Sequence, residues 1–127
     1  MSKDSLSLGI KAEEKAEAFL KNNGYKILER NYKTKLGEID IIAKDKESLC
    51  FVEVKCRSSN RFGSGFEAVS GLKQRQISKT ALGYLKENNL LDKKARFDVV
   101  SLDYSGSPGK IELIKDAFEL GERFTYY

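Results

Sequence analysis

The sequence predicts a single α/β domain in which helices pack on a mixed sheet, and three observations carry that prediction. The chain has 127 residues, 40% of them hydrophobic, enough for one core and too few for two. Two segments repeat apolar residues at helical spacing, while the others are short extended runs, most of them rich in Val, Ile and Phe. One Pro and no Gly/Ser-rich linker leave the chain without a compositional break. The predicted order is α-β-β-β-α-β-β.

The first helix is expected from Leu8 to Asn22, because Ala12, Ala16, Phe19 and Leu20 fall on one face and Asn23-Gly24 is a stop signal. A short extended piece, Tyr25–Leu28, leads to a strand over Glu38–Ala43. Lys44 to Glu47 make a polar turn, and Ser48–Cys56 returns as a second strand to form a hairpin. After a loop over Ser58–Gly65, a second helix is expected from Leu72 to Lys86, with Ser70 as its cap and Ile77, Ala81, Tyr84 and Leu85 facing inward. Strands over Ala95–Tyr104 and Lys110–Ile114 flank a turn at Ser105–Gly109. The aromatic tail Phe124–Tyr127 is expected to dock on the core.

Composition excludes several chemistries. There is no His, so a Ser-His-Asp triad, a Cys-His pair and an HExxH zinc site are all absent. Cys50 and Cys56 lie six positions apart in one strand, roughly 20 Å at about 3.3 Å per residue, too far for a bridge. Both are expected to be buried, reduced thiols. No segment has the apolar length of a membrane span or the core of a signal peptide, so a cytoplasmic protein that avoids the membrane is expected. Net charge is +4, and its distribution is uneven: Lys55 to Lys79 holds six basic residues and Glu67, or +5, against −1 elsewhere. That stretch suits a polyanion, and it reads equally well as a solvated basic face. F-G-S-G-F in this region lacks the strand and helix context of a phosphate loop.

The first hairpin holds the most informative residues. Glu53 and Lys55 are two apart and share a strand face. If the turn is centred between Asp45 and Glu47, Asp40 lies opposite Val52 or Glu53, and in the second register the two carboxylates share a face about 5 Å apart. Two such charges repel by about 3 kcal/mol at an effective dielectric near 20. Lys55 relieves part of that, and a divalent cation on oxygen ligands, Mg²⁺ or Mn²⁺, relieves more. With a different register the same residues are edge-strand ion pairs. Glu13 stands at the margin of the first helix's buried stripe, about 20° from Leu20 on the helical wheel, as does Lys73 on the second helix, about 40° from Ile77.

G-E-I-D-I-I-A followed by F-V-E-V-K-C-R resembles the PD-(D/E)xK nuclease signature, with Ile39 where Pro is usual. More closely, the chain resembles the YraN family of uncharacterised bacterial proteins over about four fifths of its length. The resemblance runs from G-x-x-x-E-x-x-A (Gly9, Glu13, Ala16) through G-Y-K-I-L, R-N-Y, G-E-I-D, F-V-E-V-K-x-R, F-G, E-A-V and Lys73 to R-F-D-V-V. It implies a three-layer, restriction-endonuclease-like core related to archaeal Holliday junction resolvases, with a metal site on Glu13, Asp40 and Glu53 beside Lys55. The mechanism expected from it is phosphodiester hydrolysis. Asp40, Glu53, the Val54 carbonyl and Glu13 hold Mg²⁺ or Mn²⁺, Lys55 orients water or stabilises the transition state, and Arg57, Lys73 and Arg75 contact the nucleic acid backbone. DNA is the expected partner, and a homodimer is one expected assembly, since related nucleases that cut two strands often dimerise. A nucleic-acid-binding module without catalysis is the alternative on the same fold.

Overall fold

In a computed structural model of the chain, residues 3–57, 71–104, 106 and 109–118 are described, with side chains from residue 11 onward and that of Arg57 excepted. The elements follow the predicted order: α1 (Lys3–Asn22), β1 (Lys26–Thr34), β2 (Gly37–Asp45), β3 (Ser48–Arg57), α2 (Gly71–Glu87), β4 (Ala95–Asp103) and β5 (Lys110–Phe118). Ser70, the loop over 58–65 with F-G-S-G-F, and the tail over 124–127 lie outside the described residues.

The strands form one sheet in the order β1-β2-β3-β4-β5. Only β3 and β4 run parallel, joined through α2; the other neighbours are antiparallel. A parallel pair needs a long crossover, and the helix supplies it. β1 is longer than expected because Glu29 to Thr34 carry no apolar alternation; as an edge strand it is exposed at most positions and has no pattern to betray it.

Alternation along β3 builds the three layers. Cys50 and Val52 pack with Ile41, Ala43, Val100 and Leu102 against Ala12, Ala16 and Leu20 of α1. Leu49 and Phe51 pack with Ile42 and Phe97 against Ile77, Ala81, Tyr84 and Leu85 of α2. Successive residues of a strand face opposite ways, so α1 and α2 cover opposite faces of one sheet. Cys56, expected to be buried with Cys50, is exposed: the cluster under α1 ends before the strand does.

Both helices end by the same device. Gly24 turns left-handed at φ 90°, and Tyr25 N–H and Gly24 N–H donate back to the Leu20 and Lys21 carbonyls at 3.0 and 3.1 Å. Asn89, at φ 56°, plays the Gly24 part after α2, with Leu90 N–H donating to Leu85 at 2.8 Å and Asn89 N–H to Lys86 at 3.3 Å. These are Schellman caps, and each places an apolar residue beyond the turn, Tyr25 or Leu90, in the same cluster as the residue it bonds.

Asp98 is a completely enclosed carboxylate. Asp98 accepts from the Tyr25 hydroxyl at 2.8 Å, from Arg96 Nε at 3.0 Å and from the Asp116 backbone N–H at 2.9 Å. Arg96 continues to Asp45 at 2.7 Å, so the network ties the start of β1, the β2–β3 turn, β4 and a bulge in β5. Burial and the Asp98 bond push the Tyr25 phenol above its usual range, while Arg96 and Lys115 hold the Asp45 carboxyl below its own. A buried carboxylate is tolerated where donors surround it; without them it destabilises the fold.

A candidate metal site at the parting of two strands

The site arises where the β2–β3 hairpin opens. Its register is one of the two expected from the turn, with Asp45 opposite Ser48 and Ile41 opposite Val52. Pairing stops there, although β2 begins at Gly37 and β3 continues to Arg57. In the gap, Asp40 Oδ2 accepts a hydrogen bond from the Val54 N–H at 2.8 Å. A carboxylate thus takes the donor that a backbone carbonyl of β2 would otherwise receive. The N–H and C=O of an extended residue project to the same strand edge, so the Val54 carbonyl looks into the same gap.

A change of face explains how Asp40 gets there. Ile41 belongs to the cluster under α1 and Ile39 to the cluster under α2, although regular alternation puts residues two apart on one face. Their partners on β1 change faces at the same step: Arg30 ion-pairs with Glu17 of α1 at 3.1 Å, whereas Tyr32 packs on the α2 side. Between them Asn31 is left-handed at φ 51°, a conformation Asn tolerates better than most residues. Asp40, midway through the switch, turns one carboxylate oxygen toward the Val54 N–H of the neighbouring strand and still lies within the field of Glu53, Lys55 and Lys73.

Glu53 lies on the α2 face of β3 and is 5% exposed. Its Oε1 is 3.4 Å from the Lys73 ammonium of α2 and 3.9 Å from that of Lys55. Burial, and then the charge of Asp40, push its carboxyl up to about 7 against the pull of Lys73 and Lys55. Burial also raises Asp40, with Glu38 adding to it, while the Val54 hydrogen bond and the charges of Lys73 and Lys55 oppose the rise. A buried carboxylate, Glu53, and a half-buried one, Asp40, therefore share one site, with Lys73 and Lys55 as its cations.

Glu13 is half-buried on α1, raised by its own burial and by Asp40, and restrained by a hydrogen bond from Asn31. It is joined to Asp40 by their mutual field. Among the described residues no three carboxylates or thiols gather closely enough to ligate one ion; the oxygens at the gap that could hold one are those of Asp40, Glu53 and the Val54 carbonyl. All are hard oxygens, which fits Mg²⁺ or Mn²⁺ better than a thiophilic metal.

Of the residues expected to touch a phosphate backbone, Lys73 has its ammonium 3.4 Å from Glu53 Oε1. Arg75 is exposed on α2, with its guanidinium beside Gly71. The Arg57 side chain lies outside the described residues. Asn31 falls within the R-N-Y motif but has no role assigned from sequence; its signal is an Asn within a β-strand, a residue that turns left-handed more readily than most non-Gly residues.

Among known proteins, the model described as "Uncharacterised protein family UPF0102" matches residues 12–102. A UPF0102 protein of Geobacter metallireducens is 50% identical over 120 residues, covering 94% of this chain and 98% of that one. One from Syntrophus aciditrophicus is 48% identical over 116 residues, with 91% of each chain covered. A third, from Desulforapulum autotrophicum, is 46% identical over 119 residues, 94% of this chain and 98% of the other.

Proposed function

The chain belongs to the UPF0102 family of uncharacterised proteins, and for it we propose metal-dependent hydrolysis of phosphodiester bonds in DNA, with branched or otherwise structured DNA as the substrate class. One observation carries the reading: half-buried Asp40, fixed by the Val54 N–H where the pairing of β2 and β3 stops, lies close enough to buried Glu53 for its charge to push the Glu53 carboxyl up. A purely structural sheet gains nothing from such a pair, whereas a site for a hard cation requires it. The PD-(D/E)xK resemblance of G-E-I-D and F-V-E-V-K points the same way.

Asp40, Glu53 and the Val54 carbonyl would hold the cation. When bound, Mg²⁺ or Mn²⁺ supplies activation of the attacking water and screens the charge that builds on the phosphate. Asp40 is fixed by the Val54 N–H, so its free oxygen has a defined direction. Lys55, 23% exposed and on the Glu53 side of the sheet, is placed to orient the water and to stabilise negative charge on the phosphoryl oxygens. Glu13, held by Asn31, adds negative potential behind Asp40. Arg75 and Arg57 are the backbone contacts that position DNA without reading its sequence.

The test is cleavage of labelled single-stranded, duplex, flap and four-way-junction DNA with Mn²⁺ or Mg²⁺, comparing wild type with Asp40→Asn and Lys55→Ala. We expect cutting of at least one branched substrate that falls by 100-fold or more in both variants, in line with the loss of a charged group from a catalytic site (on the order of 3 kcal/mol). Wild type that binds DNA in a salt-sensitive manner but cuts none of the four would overturn hydrolysis and leave a DNA-binding module.

A further inference from the structure

Lys73 meets the carboxylate pair from α2. It projects from the first turn of α2, across the layer boundary, and its Nζ comes within 3.4 Å of Glu53 Oε1. Lys55 approaches the same oxygen from within β3 but stops at 3.9 Å. Glu53's side chain is 6% exposed, so its charge needs a cation at hand whenever the site is without metal. Lys73 differs from Lys55 in exposure and anchorage: its side chain is 42% exposed against 23%, on a four-carbon stem rooted in a helix outside the sheet.

We propose that Lys73 is the resident counter-cation of the Asp40–Glu53 pair, and that a divalent cation displaces its ammonium from Glu53. The inference rests on the reading of that pair as a metal site. A dication and an ammonium cannot both sit within contact distance of one carboxylate oxygen without mutual repulsion, so the two compete for Glu53. Lys73 then serves two states of the protein. Without metal it keeps the carboxylate pair tolerable in a buried setting; with metal it is released at the mouth of the site as a mobile positive charge. The structure thereby gives Lys73 a role that a phosphate-contact reading does not.

Competition has a sign that simple positioning lacks, and Mn²⁺ binding reads it without any need for turnover. Calorimetric titration of Mn²⁺ into the whole chain at one alkaline pH compares wild type with Lys73→Met, Lys73→Gln and Arg75→Met, with Asp40→Asn to identify the site. Lys73 is half-exposed on a helix surface, and matching circular dichroism of the variants establishes that they fold. After allowance for solvent around the ammonium, we expect about tenfold tighter Mn²⁺ binding in both Lys73 variants. Arg75→Met removes the same charge from the same helix without touching Glu53 and is expected to stay within about twofold of wild type. Unchanged or weaker binding in the Lys73 variants overturns the proposal while leaving the metal site standing, and equal tightening in Arg75→Met overturns it in favour of a general field effect. Absence of any Mn²⁺ binding that Asp40→Asn abolishes overturns the metal reading itself.

Discussion

At the scale of single residues, Glu53 is where fold and chemistry conflict. Burial and Asp40 raise its carboxyl to about 7 from an ordinary value near 4.5. A raised carboxyl means that the folded, metal-free protein binds the proton more tightly than the unfolded chain. Its contribution to stability is therefore full below pH 4.5 and is lost as pH rises through about 7. We expect Glu53→Gln, which cannot ionise, to remove that loss. In urea unfolding of the metal-free protein, the variant should gain on wild type between pH 5 and pH 8, by an amount on the order of 2 to 3 kcal/mol. A constant difference across that range would mean that Glu53 ionises without strain. Sequence spacing brought Glu53, Lys55 and Asp40 into one hairpin, because a period of two and a short turn decide most of the register. The orientation of Asp40 was not legible there, since it depends on a face switch shared with Asn31 on the neighbouring strand.

At the scale of elements, the site depends on how closely α2 lies over the start of β2, because the helix brings Lys73 and the strand brings Asp40. Gly37 sets that approach. A Cβ there would meet Thr80 Oγ1 at 2.8 Å, and its φ of 156° is one that other residues rarely adopt. Thr80 has little room to yield, being fully buried and donating to the Gln76 carbonyl at 2.8 Å. Gly37→Ala is expected to destabilise by about 1 to 3 kcal/mol, through overpacking and backbone strain together. Thr80→Ala in the same chain should restore part of the loss but not all of it, since the backbone strain remains. Urea midpoints of the two single variants and the double variant measure this directly. An additive double variant would show that the helix does not rest on Gly37.

At the scale of the whole molecule, two apolar clusters supply most of the stability and the Asp98 network decides how the strands are joined. Asp98 links Tyr25, Arg96 and Asp116 by side-chain and backbone hydrogen bonds. Asp98→Ala leaves Arg96 with one ion partner, Asp45, and strips the Tyr25 hydroxyl and the Asp116 N–H of their acceptor. A loss of about 3 to 5 kcal/mol in unfolding free energy is expected, large enough to threaten folding at ordinary temperature. Hydrogen exchange should then rise first in β1 and β5, the two edge strands tied by the network. Uniform exchange across the sheet would instead assign the network to general stability.

The sequence by itself determined the order of elements, the two helix faces, the hairpin register to within one residue, and the set of carboxylates and lysines available for chemistry. These follow from local rules: periodicity of apolar residues, turn residues, and the alternation of side chains along a strand. Tertiary structure alone decided three things. β1 extends to Thr34 because an edge strand carries no burial pattern to read. Cys56 is exposed because the core under α1 stops short of the end of β3. Lys73 meets Glu53 because a crossover helix returns over the sheet at a distance set by Gly37 and Thr80, although the two lie twenty positions apart in the chain. Contacts between elements depend on how layers settle against each other, and no spacing within one element encodes that distance.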